Sequence, residues 1–429
     1  MRISHFSCYT LGVCAAAMLA GCGGGSGTPL SPSPAGLSAE RTHMDPAYSV
    51  IYSFKGRRDG AVPEAGLLNV KGTLYGTTYG GGASDNGTVF DLSTSGEERV
   101  LYRFSPFGSS GTDGANPQAA LINVNGTLYG TTYGGGANGG KDANRGSVRG
   151  NGTVFDVSTA GSERVVYRFK RHPDGSGPTA GLINVKGTLY GTTQYGGTGG
   201  QGTVFAITTS GVETVLHSFA GGSRDGADPW AGLINVNGTL YGTTQLGGAC
   251  TSSDFGCGTV FKTTTSGTET VLYSFKGGSS DGKYPIAGLI NVNGTLYGTT
   301  GGGGANGYGT VFKITTSGKE TALHSFAGGS GDGAGPEAGL INVKGTLYGT
   351  TEYGGGSGCA SVDGCGIVFK MRPSGKETVL YRFKGGTDGA VPYAGLLNVQ
   401  GTLYGTTSGG GANCGSGSGG CGTVFSLSP

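Results

Sequence analysis

Helical periodicity is missing from the repeated part of this chain. Nothing in the unit at residues 285–326 has a helical period, which argues against helices there. Charge is scarce too: 13% of the 429 residues are Asp, Glu, Lys or Arg, and the formal net charge is +2 with both signs interspersed. That leaves no basic stripe to neutralise phosphates, and without a DNA- or RNA-binding motif nucleic acid is not expected as a partner. Among the 95 glycines there is no Gly-X-Y period, which excludes a collagen-like helix. No G-x-S-x-G, H-E-x-x-H or P-loop signature occurs, and no D-x-D-x-D calcium spacing, so no catalytic residue, cofactor or metal is expected.

What the chain has first is an export signal. Residues 1–21 carry one Arg, then an apolar run too short to span a bilayer, then small residues. The ending "LAGC", Leu19 to Cys22, resembles the lipobox of bacterial lipoproteins, which implies removal of residues 1–21 and a lipid on Cys22 as the link to the membrane. By the same resemblance Gly23 directs the protein to an outer membrane where the cell has one; the alternative is a soluble secreted protein. Residues 22–46 are a Gly/Ser/Pro stretch without apolar period, a flexible tether, and residues 47–429 form the folded domain. In that domain six cysteines fall into three local pairs, Cys250 with Cys257, Cys359 with Cys365, and Cys414 with Cys421. Each pair brackets one Gly/Ser-rich loop, which reads as three disulfides in an oxidising compartment. Zinc is the weaker alternative, because the spacing is wide and no His stands nearby in sequence.

The domain is a repeat. "GTLYGTT" begins at residues 72, 126, 187, 238, 294, 345 and 401, at spacings of 51 to 61 residues. One unit reads as four strands: "AGLINV" and "GTLYGTT" joined by a two-residue turn of the Asn-Gly kind, then "GTVFKIT" and "KETALHSF" joined by "TSG". Four strands per repeat is the content of a propeller blade, so the expected fold is an all-β, seven-bladed β-propeller with four antiparallel strands per blade. A β-solenoid is the rival. The chain ends favour closure: "AYSVIYSF", residues 47–54, matches a fourth strand, whereas the sequence finishes at "GTVFSLSP", after a third. The N-terminal strand is therefore expected to complete the last blade.

"GTLYGTT" followed by Gly-rich loops, "GTVFKITTSG" and "ETVLYSF" together resemble the GloVer repeat of the choice-of-anchor bacterial surface proteins, over residues 47–429. The resemblance implies a propeller-like, exported or cell-surface protein. It supplies no catalytic residues.

Any individual function must lie in what does not repeat. The loops between second and third strands run 8, 19, 8, 13, 8, 14 and 14 residues, and the longest carries Lys141, Asp142, Arg145 and Arg149. In the first strand one position varies, the residue between Pro and Ala in P-x-A: Glu64, Gln118, Thr179, Trp230, Ile286, Glu337 and Tyr393. On a propeller these would ring one mouth of the central channel. Trp230 and Tyr393 would stack on a sugar or other flat ligand, and Glu64 and Glu337 would supply polar contacts. The plainer alternative is a solvent-facing strand start under no constraint. Asp59, Asp113, Asp174, Asp225, Asp281, Asp332 and Asp388, each before Gly in a blade-to-blade loop, read as turn residues bonding their own backbone rather than as cation ligands. His217 and His324 replace the Tyr of "LYSF" and read as packed strand residues. The expected protein is a monomeric, lipid-anchored binding module or scaffold without chemistry of its own, whose partner is a glycan or another envelope protein. The rival is a carbohydrate-active enzyme, a glycoside hydrolase or lyase, with its site at the channel mouth.

Overall fold

The seven copies of the heptapeptide become the second strands of seven four-stranded antiparallel sheets. The computed structural model describes residues 47–105, 112–136, 150–250, 255–356, 359, 364–411 and 419–429. In blade 1 the strands Leu68–Val70, Thr73–Thr78, Thr88–Leu92 and Glu98–Arg103 pair in chain order from the inside outward. Blades 2 to 6 repeat this plan. Lys71 and Gly72 join the first two strands with φ of 53° and 91°, the two left-handed residues that a type I′ turn demands.

The heptapeptide recurs because each of its residues meets the same demand in every blade. Leu74 is fully buried, and Thr78 Oγ1 bonds Thr88 Oγ1 at 2.9 Å across to the third strand. Thr77 donates its hydroxyl to the Ala119 carbonyl of the next blade at 3.1 Å. Gly76 leaves room for a ring: a Cβ there would stand 2.5 Å from Phe90 Cζ. Gly76→Ala should therefore cost about 1–3 kcal/mol, as other overpacked cores do, read as a lowered urea midpoint with unchanged slope.

Between neighbouring blades lie seven hydrophobic clusters. Each is centred on an edge-to-face Phe pair, such as Phe104 with Phe155 at 5.1 Å. The fourth strand carries a bulge in the same place throughout: Tyr102 pairs with Val89 and Val100 with Phe90, leaving Leu101 as the extra residue.

Ala47–Ser53 is the fourth strand of blade 7, antiparallel to Thr423–Ser428. It reproduces the bulge, with Ile51 between paired Val50 and Tyr52. The seam it closes resembles the other six: Phe54 meets Phe90 at 5.1 Å, and Thr406 donates to the Ala65 carbonyl at 3.2 Å. The ring is closed, as the strand count predicted, and a solenoid is excluded. One residue departs from the repeat. Where other fourth strands begin with Glu, this one has Tyr48, stacked on Tyr381 at 3.8 Å and 9° and bonded through its hydroxyl to the Asp388 carbonyl.

One feature was not expected. On the face that carries the long loops, Gly60–Ala61 pairs with Gly80–Gly81, and five further blades have the same two-residue ladder. Blade 7 has a single bridge there, Ala390 to Gly409. These ladders lash the loop entering a blade to the loop leaving its second strand.

Candidate functional site

The chain enters each blade through the Pro of P-x-A, and the next residue points to the middle of the ring. Glu64, Gln118, Thr179, Trp230, Ile286, Glu337 and Tyr393 line one cavity of about 140 Å³, floored by the Ala and Gly residues that follow them. None is a freely solvated strand start. Ile286 and Thr179 are buried, at 8% and 5% exposure, and the other five are half-buried. They are tied around the ring: Gln118 Nε2 donates to Glu64 Oε2 at 3.1 Å, and Thr179 Oγ1 to the Trp230 carbonyl at 3.1 Å.

The ring is lopsided. Blades 6, 7 and 1 contribute Glu337, Tyr393 and Glu64, whereas blades 4 and 5 contribute Trp230 and Ile286. Glu352, from the position just after GTT in blade 6, joins the acidic arc and is hydrogen-bonded to Glu337, which Tyr393 also bonds. Burial pushes the Glu337 carboxyl well above the usual range, and the neighbouring Glu352 adds to this. Glu352 is raised too, by burial first, and a hydrogen bond between two carboxyls requires a proton on one of them. Glu64 is raised as well, by burial first and partly offset by the bond from Gln118. The P-x-A position alone did not reveal Glu352. Its signal was the second variable column, the residue after GTT: Tyr79, Tyr133, Gln194, Gln245, Gly301, Glu352 and Ser408.

The Asp-Gly loops are turns with an added duty. Asp59 takes the Gly60 N–H on Oδ1 at 2.8 Å and the Lys55 N–H on Oδ2 at 2.9 Å. The same Oδ2 accepts the Tyr52 hydroxyl at 2.9 Å, and Tyr52 reaches Glu98 Oε2 of the next blade at 3.3 Å. Tyr102, Tyr167 and Tyr273 hold Asp113, Asp174 and Asp281 likewise. Each glutamate of this belt has Oε1 buried without a hydrogen bond. Accordingly Glu98, Glu163, Glu213, Glu269, Glu320 and Glu377 are each pushed up to about 7, chiefly by burial. His217 and His324 stand in the Tyr place at two junctions, packed edge-on against Phe219 and Phe326 with centroids 4.7 Å apart. His172, in the loop between blades 2 and 3, lies 3.1 Å through Nδ1 from the Gly197 carbonyl oxygen.

Two disulfides staple loops of the long-loop face, Cys250–Cys257 and Cys359–Cys365, both with Cα atoms 5.4 Å apart. Cys421 is also disulfide-bonded, while Cys414 lies outside the described residues, as do Cys22, Lys141, Asp142, Arg145 and Arg149. Disulfides fit an oxidising, extracytoplasmic compartment. Among the described residues no helix is long and apolar enough to cross a membrane.

The fold and its axial mouth define a seven-bladed propeller with one irregular, acidic-and-aromatic end. The chain belongs to the Gloeobacter/Verrucomicrobia repeat family, which it matches over residues 36–250 and again over 141–362. No curated protein matches it. Among solved structures it is similar to a luciferin-regenerating enzyme, at 11% identity over 90% of this chain and 95% of the other, with a TM-score of 0.43. A gluconolactonase from Xanthomonas campestris is 14% identical over 64% of this chain and 78% of its own, with a TM-score of 0.38. A puromycin hydrolase is 11% identical over 81% of this chain and 50% of its own, with a TM-score of 0.49. Likeness this distant carries nothing about chemistry.

Proposed function

We propose that this protein is an exported binding module, lipid-anchored at Cys22 to the cell envelope, that takes a hydroxyl-rich group of a glycan at the mouth of its channel. One observation carries the reading: on a scaffold repeated sevenfold, the seven residues of the variable P-x-A position converge on a single cavity. Glu64 and Glu337 line that cavity with carboxyl oxygens that sugar hydroxyls can bond, and Glu352 bonds Glu337. Trp230, opposite, offers a flat apolar face. A volume of about 140 Å³ admits one small group, well short of the ~300 Å³ at which ordinary ligand pockets begin, so the rest of the ligand lies across the mouth.

One carboxyl pair of this region does not suit the enzymatic rival, whose nominated pair is Glu64 with Glu337, two blades apart. Glycoside hydrolysis needs two carboxyls about 5 to 9.5 Å apart to flank the bond, and Glu337 is in direct hydrogen bond with Glu352. A glycan array probed with the purified protein should give hits that are lost in Trp230→Ala and at least tenfold weakened in Glu352→Gln. Incubation with any hit should leave it intact. Turnover, or binding indifferent to both substitutions, overturns the proposal. Labelling with a lipid precursor tests the anchor separately: Cys22→Ser should abolish incorporation.

A further inference from the structure

The belt of Tyr, Asp and Glu at the blade junctions has two stations where histidine takes the place of tyrosine. At the junction of blades 3 and 4, His217 replaces the tyrosine and faces Asp225 and Glu269; at that of blades 5 and 6, His324 faces Asp332 and Glu377. Exchanging phenol for imidazole removes the hydroxyl that bridged the two acids and leaves a ring nitrogen that stops short. His217 Nε2 is 3.4 Å from Asp225 Oδ2, and His324 Nε2 is 3.3 Å from Asp332 Oδ2, both outside the usual 2.7–3.2 Å of an N–H···O bond. Neither Nε2 makes a hydrogen bond, nor does Oε1 of Glu269 or Glu377, and all four atoms are buried. Within each station one nitrogen and two carboxylate oxygens lie within 4.8 Å of one another.

The His–Asp separation has a simple meaning. Ligand atoms about 2.0–2.1 Å from a tetrahedral zinc ion stand about 3.3–3.4 Å from each other. We propose that the two stations are divalent transition-metal sites, best suited to Zn²⁺, each built from one histidine, one aspartate and one glutamate with the fourth position left to water. The imidazole favours zinc-like ions over calcium or magnesium, which prefer all-oxygen shells. The aspartates are already oriented as ligands. Asp225 accepts the Gly226 N–H on Oδ1 at 2.7 Å and the Ala220 N–H on Oδ2 at 2.7 Å, and Asp332 is held in the same way by Gly333 and Ala327. The His side chains are 21% and the Asp side chains 16% exposed, so an ion and its water can enter from the surface. Each ion would pin the fourth strand of one blade to that of the next.

The test uses protein stripped with EDTA and then dialysed against Zn²⁺. Elemental analysis should find two equivalents per chain, one in His217→Tyr, one in His324→Tyr and none in the double variant. Tyrosine is the residue the other five junctions already hold, so these variants should fold, and melts in EDTA check that they do. Glu269→Gln and Glu377→Gln serve as a second pair should either tyrosine variant fail. Zn²⁺ should raise the melting temperature of the parent and leave the double variant unmoved, and Co²⁺ should give the parent a visible d–d band that is halved in each single variant and lost in the double. Binding of less than one equivalent, or a stoichiometry the substitutions leave unaltered, overturns the proposal.

Discussion

Deleting residues 47–54 should abolish the single cooperative melt of the ring, and adding back a peptide of sequence AYSVIYSF should restore it. The segment carries the whole outer ladder of blade 7, from Ala47 opposite Ser428 to Ser53 opposite Thr423. It also carries Phe54, which is fully buried in the cluster between blades 7 and 1. Phe54→Ala alone should cost about 3–5 kcal/mol, a large share of the roughly 5–15 kcal/mol that folded domains typically have. Without the segment, Thr423–Ser428 becomes an unpaired edge that a free strand can cap, which is why the peptide should rescue. A truncated chain that melts like the parent would show that closure contributes nothing.

The second large effect is on pH. In metal-free buffer with EDTA, the melting temperature should fall steadily from about pH 5 to about pH 8. The six belt glutamates ionise near 7 in the folded chain against 4.5 when free, so in between the folded state holds more protons than the unfolded one. Their stabilising share is complete below about 4.5 and is lost as pH rises through about 7. Each group is part-exposed, so solvent screening leaves only a fraction of the full ~1.4 kcal/mol per pH unit, but six act with one sign and Glu337 adds to them. Asp225 and Asp332 do not oppose this trend. Burial raises them but is outweighed by the imidazole of His217 or His324 beside each and by bonds from backbone N–H groups, so they titrate below the usual carboxylate range, outside this window. Glu163→Gln should flatten the slope by one group's share. A melting temperature that is level or climbing from pH 5 to 8 would contradict the account, and differential scanning calorimetry across the series decides it.

Much of the architecture was legible because repetition does the work of an alignment. Seven copies of GTLYGTT mark one packing environment met seven times, and the unmatched outer strand at residues 47–54 signals the closure by itself. The Gly-rich segments were opaque. Gly60–Ala61 and Gly80–Gly81 have no side-chain alternation from which to read a strand, and their pairing rests on backbone approach alone. The belt was opaque for another reason. Tyr52 and Glu98 are 46 residues apart and belong to different blades, so their contact arises only when the blades are set side by side. The acidic arc was half legible: following P-x-A finds Glu64 and Glu337, whereas Glu352 reaches Glu337 from the end of the second strand.

Six of the seven fourth strands are placed by a short turn from the strand beside them, but Ala47–Ser53 must find Thr423–Ser428 from the opposite end of the chain. Ring closure is thus an intramolecular binding reaction, with an affinity, an off-rate and an effective concentration of its own. Tyr48, which stacks on Tyr381 where a glutamate would stand elsewhere, marks that strand for the single slot that fits it. Below the effective concentration each chain caps itself. Above it, the same strand is free to cap a neighbouring copy, and reciprocal exchange then links two rings without one new contact being invented.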